Sequence, residues 1–411
     1  MGIFLYSFGI KIIGLLTQLA ALFNPKAKEF INGRKNVWEL LSRQLEGNTA
    51  PILWVHCSSV GEYEQGRPAM EAFKNKYSSY KILVTFYSPS GYQAVKTDDI
   101  VDFKIYLPLD SRKNARILID IADPKLVMFI KYEFWYYYLS ELKKRGIPVL
   151  SVSAIFRDSQ IYFKWYGSFN RKILDNLSYF FVQDKASQDL LNNINLPSTI
   201  TGDTRLDRVL EIKEKKKELP EIDGFAAGKK LMVIGSMRKE DVDIIIQFVQ
   251  SHPEVKFIIA PHEIEDSMML PLEQSIDSTI RHSQLNSSSS DRQVLIIDNI
   301  GMLSQLYRYA NYAYIGGGFS DGLHNILEAA VYEIPVFFGN KDYQRFKEAI
   351  DLIDLGVAFP VGSFPEFEAV FNDLDGNNER KAEIKSVLTR YLSENQGASD
   401  KIIAHLEEYM P

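Results

Sequence analysis

From residue 50 onward the chain alternates short, almost uninterrupted runs of Val, Ile, Leu, Phe and Tyr with longer stretches in which apolar residues recur every three or four positions. The short runs predict strands buried on both faces of a parallel sheet, and the spacers predict the helices that cover those faces. In the first half strands are expected at 52–57, 81–86, 103–107, 126–130, 148–153 and 179–183. In the second half they are expected at 231–235, 255–260, 294–297, 312–315, 335–338 and 357–361. The fold class is therefore α/β, with two doubly wound Rossmann-like domains facing a cleft, and ligands in such sheets collect outside the carboxyl ends of the strands. Candidate chemistry is to be sought just after each strand.

The pattern breaks at 211–230, EIKEKKKELPEIDGFAAGKK, where hydrophobicity falls and charge, Pro and Gly accumulate, the mark of a linker or solvated helix. This sets the domains at 25–210 and 231–376, with amphipathic helices over 377–411 that return to brace the first. A polar stretch at 283–292, with four consecutive serines, is expected to be a surface loop. Residues 3–23, IFLYSFGIKIIGLLTQLAALF, form a different pattern, apolar almost throughout and closed by Asn24-Pro25. Lys11 near the middle disfavours a full span, and no basic segment or small-residue cleavage site marks a secretory signal. Lys26, Lys28, Arg34 and Lys35 make a basic collar behind it. We read 1–24 as a helix that anchors the chain at a membrane surface, with a single span and a buried core helix as the alternatives.

With 411 residues, 46% hydrophobic and 24% charged, the chain excludes disordered, collagen-like and coiled-coil classes. Its one cysteine, Cys57, rules out an intrachain disulfide and a cysteine-rich zinc site, and suits a reducing compartment. The net charge of −6 hides an asymmetry: residues 1–210 hold 27 Lys and Arg against 20 Asp and Glu, and the remainder 20 against 33. The first half thus favours anionic partners. No basic run interleaved with aromatics reaches the density of a nucleic-acid groove, so nucleic acid is excluded as a partner.

Two strand ends carry most of the candidate chemistry. After 52–57 comes Ser58-Ser59-Val60-Gly61-Glu62, small residues at a strand-to-helix turn with a carboxylate in the first helical turn. Glu62 there can accept a proton from a hydroxyl, or Ser59 and Glu62 can form a local capping box. His56, inside the strand, reads as a satisfied buried histidine. After 312–315 come Gly316, Gly317 and Gly318, then a helix expected to open near His324-Asn325 with Glu328 one turn on, on the same face. Glycines and helix N–H groups suit a phosphate, and Glu328 suits a ribose; a plain glycine turn is the alternative. The segment is neither a Walker loop nor a dinucleotide fingerprint. Ser236 and Arg238 after the strand at 231–235, and His262 after that at 255–260, can reach the same ligand.

The segments WVHCSSVGE (54–62), TGDTRLD (201–207), GSMRKED (235–241), DNIGML (298–303) and GGGFSDGLHNILEAA (316–330) stand in the order and spacing of the 3-deoxy-D-manno-octulosonic acid (Kdo) transferases, which the chain resembles over nearly its whole length. The resemblance implies a GT-B type glycosyltransferase that moves Kdo from CMP-Kdo to a lipid A precursor at the cytoplasmic face of the inner membrane. It makes Glu62 the general base, and Arg205, Ser236, Arg238, His262, the glycines 316–318, His324, Asn325 and Glu328 the donor-binding set. On the acceptor side it implies Ser59, Gly61, Ser88, Ser90, Gly91 and Glu133, with Trp135 beside Glu133. Direct displacement with inversion is expected, and no metal or other cofactor, since no Asp-x-Asp motif stands where one is needed. Pro261-His262-Glu263, Met302 and Ser153-Ala154-Ile155 depart from the family pattern, which usually has Pro-Arg-His, an acidic residue and Asn-Ala-Arg there. The readings set against this one are another GT-B enzyme using a UDP-sugar and a non-catalytic, membrane-peripheral glycolipid-binding protein.

Overall fold

The computed structural model describes residues 2–215, 218–286, 289–320 and 322–410. Within it the chain forms two compact units, Met1–Arg208 with Asn395–Pro411 and Val209–Glu394. Each is built on one seven-stranded sheet in which every pairing is parallel.

In the first unit the strands are β1 (Ile52–Cys57), β2 (Lys81–Phe86), β3 (Phe103–Tyr106), β4 (Pro124–Ile130), β5 (Val149–Ala154), β6 (Tyr179–Val182) and β7 (Ser198–Ile200), in the order β3-β2-β1-β4-β5-β6-β7. Successive residues of a strand point to opposite faces, so β1 serves two cores at once. Leu53, Val55 and Cys57 join one cluster, while Ile52 and Trp54 join the other. That double burial is why β1 reads as a continuous apolar run. The second unit holds β8 (Leu231–Met237), β9 (Lys256–Pro261), β10 (Thr279–Arg281), β11 (Val294–Ile296), β12 (Tyr312–Ile315), β13 (Val336–Gly339) and β14 (Ala358–Val361), in the order β10-β11-β9-β8-β12-β13-β14. The order reverses between β1 and β4 in one sheet and between β8 and β12 in the other. At such a reversal the connections leave to opposite faces and open a crevice at the carboxyl ends.

Three expectations need adjusting. The stretch 211–230 carries the end of the helix Thr204–Glu214 and a second helix, Pro220–Ala226, whose Ile222 and Phe225 are buried in the second core, so it is not an open linker. Residues 216 and 217 of that stretch, 287 and 288 of the polar loop, Asp321 of the glycine segment, and the terminal Met1 and Pro411 lie outside the described residues. The final stretch divides between the units. Ile384 and Leu388 of the helix Asn378–Asn395 pack into the second core, while Ile402, Ile403 and Leu406 pack into the first unit with Leu53, Met70 and Phe73. Arg34 does not belong to a lipid-facing collar. Its guanidinium is folded into the first unit, donating to the carbonyls of Phe30, Tyr87 and Leu107, and burial lowers its pKa to about 10. Lys26, Lys28 and Lys35 are exposed.

The N-terminal helix, Gly2–Ala20, is the one helix among the described residues long and apolar enough to cross a membrane. It is not a core helix, because Gly14 alone is buried while Phe4, Leu5, Phe8, Leu15, Leu16 and Leu19 are all more than half exposed.

One carboxylate helps fasten the returning chain to the first unit. Asp207 accepts the N–H groups of Gly397 and Ser399, both at 2.7 Å, and so caps the helix Ala398–His405 from another part of the sequence. Two charge-assisted bonds of this kind contribute about 2 kcal/mol together once solvent exchange is counted. Asp207→Ala is accordingly expected to lower the unfolding free energy by about that amount in a urea titration, and an unchanged midpoint would remove the cap from this role.

Candidate functional site

The carboxyl ends of β1 and β4 lie side by side and each carries an acidic residue into the crevice. Beyond β1 the chain enters the helix Val60–Lys76 through Ser59, whose backbone is extended and whose hydroxyl makes no cap bond. The capping box expected between Ser59 and Glu62 is therefore not formed. The Glu62 carboxylate turns back to accept the N–H of Ser58, and only 9% of Glu62 is exposed. Burial pushes its pKa up to about 7; the Ser58 N–H opposes this, Glu133 adds to it and Lys131 opposes it. Gly61, one residue earlier, is open to solvent, and the Ser88–Gly91 segment lies against this turn through a bond from Ser88 N–H to the Ser58 carbonyl at 2.8 Å. Ser88 Oγ and Ser90 Oγ pair at 3.0 Å, and Ser88 Oγ accepts the N–H of Gly91.

After β4 comes Lys131, in the left-handed region at φ +62, then Glu133 and Trp135. Glu133 Oε2 lies 3.8 Å from His56 Nε2, buried and without a hydrogen bond of its own. Burial alone raises the Glu133 carboxyl, yet His56 and Ser58 outweigh it and the net direction is down. Two neighbouring carboxyl groups are thereby pushed apart, one toward the neutral form and one toward the charged. His56 is satisfied, as its place in the strand implies. Its Nδ1 lies 2.9 Å from Thr85 Oγ1, and the indole N–H of Trp135 reaches its Nε2 at 3.2 Å. The sequence did not disclose that this buried ring also faces Glu133.

Arg205 belongs to the first unit. Asp203 holds its guanidinium through Nε at 2.8 Å and takes a bond from Gln65 at 2.6 Å on its other oxygen. The Arg205 pairing keeps the Asp203 carboxyl below its ordinary value against the effect of burial.

In the second unit the reversal between β8 and β12 assembles the remaining candidates. The Ser236 backbone is left-handed, at φ +54, and turns Arg238 out of β8. Arg238 Nε donates to His324 Nε2 at 3.2 Å, and the His262 and His324 rings lie 4.5 Å apart. Burial, then His262 and Arg238, lower the His324 pKa to about 4, so the ring is neutral at ordinary pH; His262 moves in the same direction. Gly317, at φ +89, and Gly318, whose added Cβ would stand 2.3 Å from the Gly339 carbonyl, admit no side chain. The buried Asp241 ties the two loops together, accepting Arg238 N–H at 2.8 Å, the Tyr314 hydroxyl at 2.8 Å and Gly317 N–H at 3.1 Å. Sequence reasoning gave Asp241 no role, although the acidic residue three positions after Arg238 was visible.

One expectation fails here. No helix opens at His324: residues 322–325 are irregular and the helix Leu327–Ala330 is a single turn, so His324 and Glu328 do not share a helical face. Gly322, at φ +121, is the local reason. Asn325 instead bridges to Glu328, Nδ2 to Oε1 at 3.4 Å. Among the described residues no group of three or more His, Cys, Asp and Glu is arranged to hold a metal ion.

Residues 34–208 match the family model described as 3-deoxy-D-manno-octulosonic-acid transferase (kdotransferase). A bifunctional glycosyltransferase/methyltransferase of Fusobacterium nucleatum is 25% identical over 392 residues, covering 90% of this chain, which spans 59% of that relative's length. The 3-deoxy-D-manno-octulosonic acid transferase of Chlamydophila psittaci is 24% identical over 376 residues, 88% of this chain and 86% of that one. Among solved structures, UDP-GlcNAc 2-epimerase from Neisseria meningitidis superposes with a TM-score of 0.64 at 17% identity, covering 87% of this chain and all of that one, a likeness of fold alone.

The Glu62 assignment has a consequence for stability. The folded chain binds this proton more tightly than the unfolded chain, whose value is ~4.3, so the stabilisation is complete below ~4.3 and is lost as pH rises to about 7. Keeping the buried carboxylate ionised at about pH 8 costs the fold on the order of 3 kcal/mol. Glu62→Gln keeps an acceptor for Ser58 and stays neutral, so it is expected to melt above the parent protein at about pH 8, with the gap closing toward about pH 5. A gap equal at both pH values in a thermal scan would contradict the buried ionised carboxylate.

Proposed function

We propose, for a chain that is a relative of the Kdo transferases and a glycosyltransferase of the GT-B type, the transfer of Kdo from CMP-Kdo to a hydroxyl of a phosphorylated lipid A precursor, lipid IVA, in lipopolysaccharide synthesis, with Glu62 as general base. The observation that carries the reading is the state of Glu62. A carboxyl group raised to about 7 is ionised in a useful fraction near neutrality and is still basic enough to take a proton from an alcohol as that oxygen attacks. Its position in the crevice after β1 supports this reading, and it lies inside the matched segment 34–208.

The acceptor hydroxyl gives its proton to Glu62 as its oxygen bonds to the anomeric carbon of Kdo. The bond from that carbon to the CMP phosphate oxygen breaks, and its electron pair leaves on CMP. Attack opposite the leaving group inverts the anomeric centre. Glu133, kept charged beside Glu62, helps hold Glu62 basic and offers its buried, unpartnered Oε2 to an acceptor hydroxyl or amide N–H. On the donor side Arg238 supplies positive charge for the departing phosphate, with the neutral His324 and exposed His262 beside it; Ser236, the glycines 316–318, Asn325 and Glu328 frame the nucleotide. Arg205, which the resemblance counts among the donor residues, is engaged by Asp203 within the first unit. The mechanism calls for no metal.

The same reading puts the enzyme at the cytoplasmic face of the inner membrane. The outer face of the N-terminal helix, with the exposed Lys26, Lys28 and Lys35 behind it, suits an anionic lipid surface, and the excess of basic residues in the first half suits a phosphorylated glycolipid.

The test is mass spectrometry of lipid IVA after incubation with the protein and CMP-Kdo. The expected outcome is a gain of one or more Kdo units, slowed about a hundredfold or more in Glu62→Gln. The log of the rate should rise with pH up to about 7 and then level, because the base must be ionised. Transfer that Glu62→Gln retains in full would remove Glu62 from the chemistry, and inhibition by uridine rather than cytidine phosphates would redirect the reading to a UDP-sugar.

A further inference from the structure

The N-terminal helix does more than expose an apolar face. Tyr6 donates its hydroxyl proton to Asp110 Oδ2 at 2.6 Å, and its oxygen accepts the N–H of Tyr136 at 3.3 Å. Asp110, 2% exposed, also accepts the N–H groups of Tyr137 at 2.9 Å and Tyr138 at 3.1 Å. Ser7 Oγ and the Tyr137 hydroxyl bond each other, and the Tyr6 ring lies 5.9 Å from Tyr136 and 5.8 Å from Phe169.

These contacts converge on one end of one helix. Tyr136–Lys144 begins with the N–H groups of Tyr136, Tyr137 and Tyr138, which have no partner within the helix, and its N-cap residue, Trp135, supplies no side-chain bond. Asp110 and Tyr6 supply what the local sequence lacks. The cap is thus assembled from two distant segments, and one of them is the helix with the exposed apolar face. Trp135 is also the residue whose indole N–H reaches His56 Nε2 at 3.2 Å and whose ring lies 5.0 Å from Tyr87, while Glu133 stands two residues before it.

We propose that Tyr6 is a positioning residue for the acceptor site: by completing the cap of Tyr136–Lys144 it fixes Trp135 and Glu133, so the N-terminal helix is part of the scaffold of the site as well as a membrane contact. The proposal rests on the reading of the Glu62 and Glu133 crevice as the acceptor side. A helix serving only as an anchor contributes nothing to transfer when the acceptor is free in water, whereas one that holds Trp135 in place contributes wherever the acceptor is.

The experiment uses the full chain and Tyr6→Phe, which keeps the ring packing and removes the hydroxyl. Transfer is followed to a deacylated, bis-phosphorylated glucosamine disaccharide, with KM measured separately for this soluble acceptor and for CMP-Kdo. The indole N–H resonances are recorded in parallel, with Trp135 assigned through Trp135→Phe. The expected result is an acceptor KM raised about fivefold, the equivalent of one lost hydrogen bond, an unchanged KM for CMP-Kdo and a shifted Trp135 indole resonance. Sedimentation with phosphatidylglycerol vesicles should be the same for both proteins. An unchanged acceptor KM, or both KM values rising together, overturns the proposal, the second because general loosening does not select one substrate. If the parent protein transfers nothing, the functional reading fails by itself and the indole resonance still decides: a shift supports the placement of Trp135 by Tyr6, and none refutes it.

Discussion

The crevice between β1 and β4 exists because the connections of two neighbouring parallel strands leave in opposite directions, and the first unit's chemistry is confined to the space that this opens. Glu62 and Glu133 descend from its two walls. Their environments differ in a way the backbone dictates. Glu62 is drawn back under the first turn of a helix, where water is excluded and one N–H is its partner, whereas Glu133 sits on a loop beside His56 and Ser58. A pair of carboxyl groups held in opposite ionisation tendencies can divide the work of taking a proton and of orienting the group that loses it.

The second unit repeats the topological device with different residues. Between β8 and β12 the close approach of backbones leaves room only for glycine, and the buried Asp241 bonds to both loops at once. Burial raises the Asp241 carboxyl while its three donors oppose the rise, so this group is held as an acceptor by partners that are themselves fixed in the loops. Arg238, His262 and His324 then form a cationic edge with two neutral rings, chemistry suited to a phosphate ester next to a base.

Strand positions were legible wherever burial on both faces forces an apolar run, as in β1, β2 and β12. They were not legible in β7 and β10, three-residue strands at sheet edges whose residues, Ser198-Thr199-Ile200 and Thr279-Ile280-Arg281, meet only one neighbour and need little hydrophobicity. Glu62, Glu133 and the glycine loop were visible because they follow strands in recognisable segments. The geometry around His324 was not, since the positive-φ turn at Gly322 overrides the helical spacing expected to join His324 to Glu328. The roles of Asp110, Asp241 and Gln65 were hidden for a different reason. Each acts on groups distant in sequence, and no spacing rule reports a contact from Asp241 to Gly317, 76 residues on, or from Gln65 to Asp203, 138 residues on.

Asp207 and its two partners at Gly397 and Ser399 close the first unit with the last segment of the chain. The unit that is translated first is therefore the one completed last. The second unit, Val209–Glu394, is continuous and has its whole core once residue 394 has left the ribosome, whereas the face of the helix Val60–Lys76 that receives Ile402 and Leu406 stays uncovered until those later residues have emerged. A polypeptide released early, short of these residues, keeps an apolar face exposed and presents itself to proteases and chaperones as unfinished. A chain that stops before these residues leaves bare the helix that also carries Glu62.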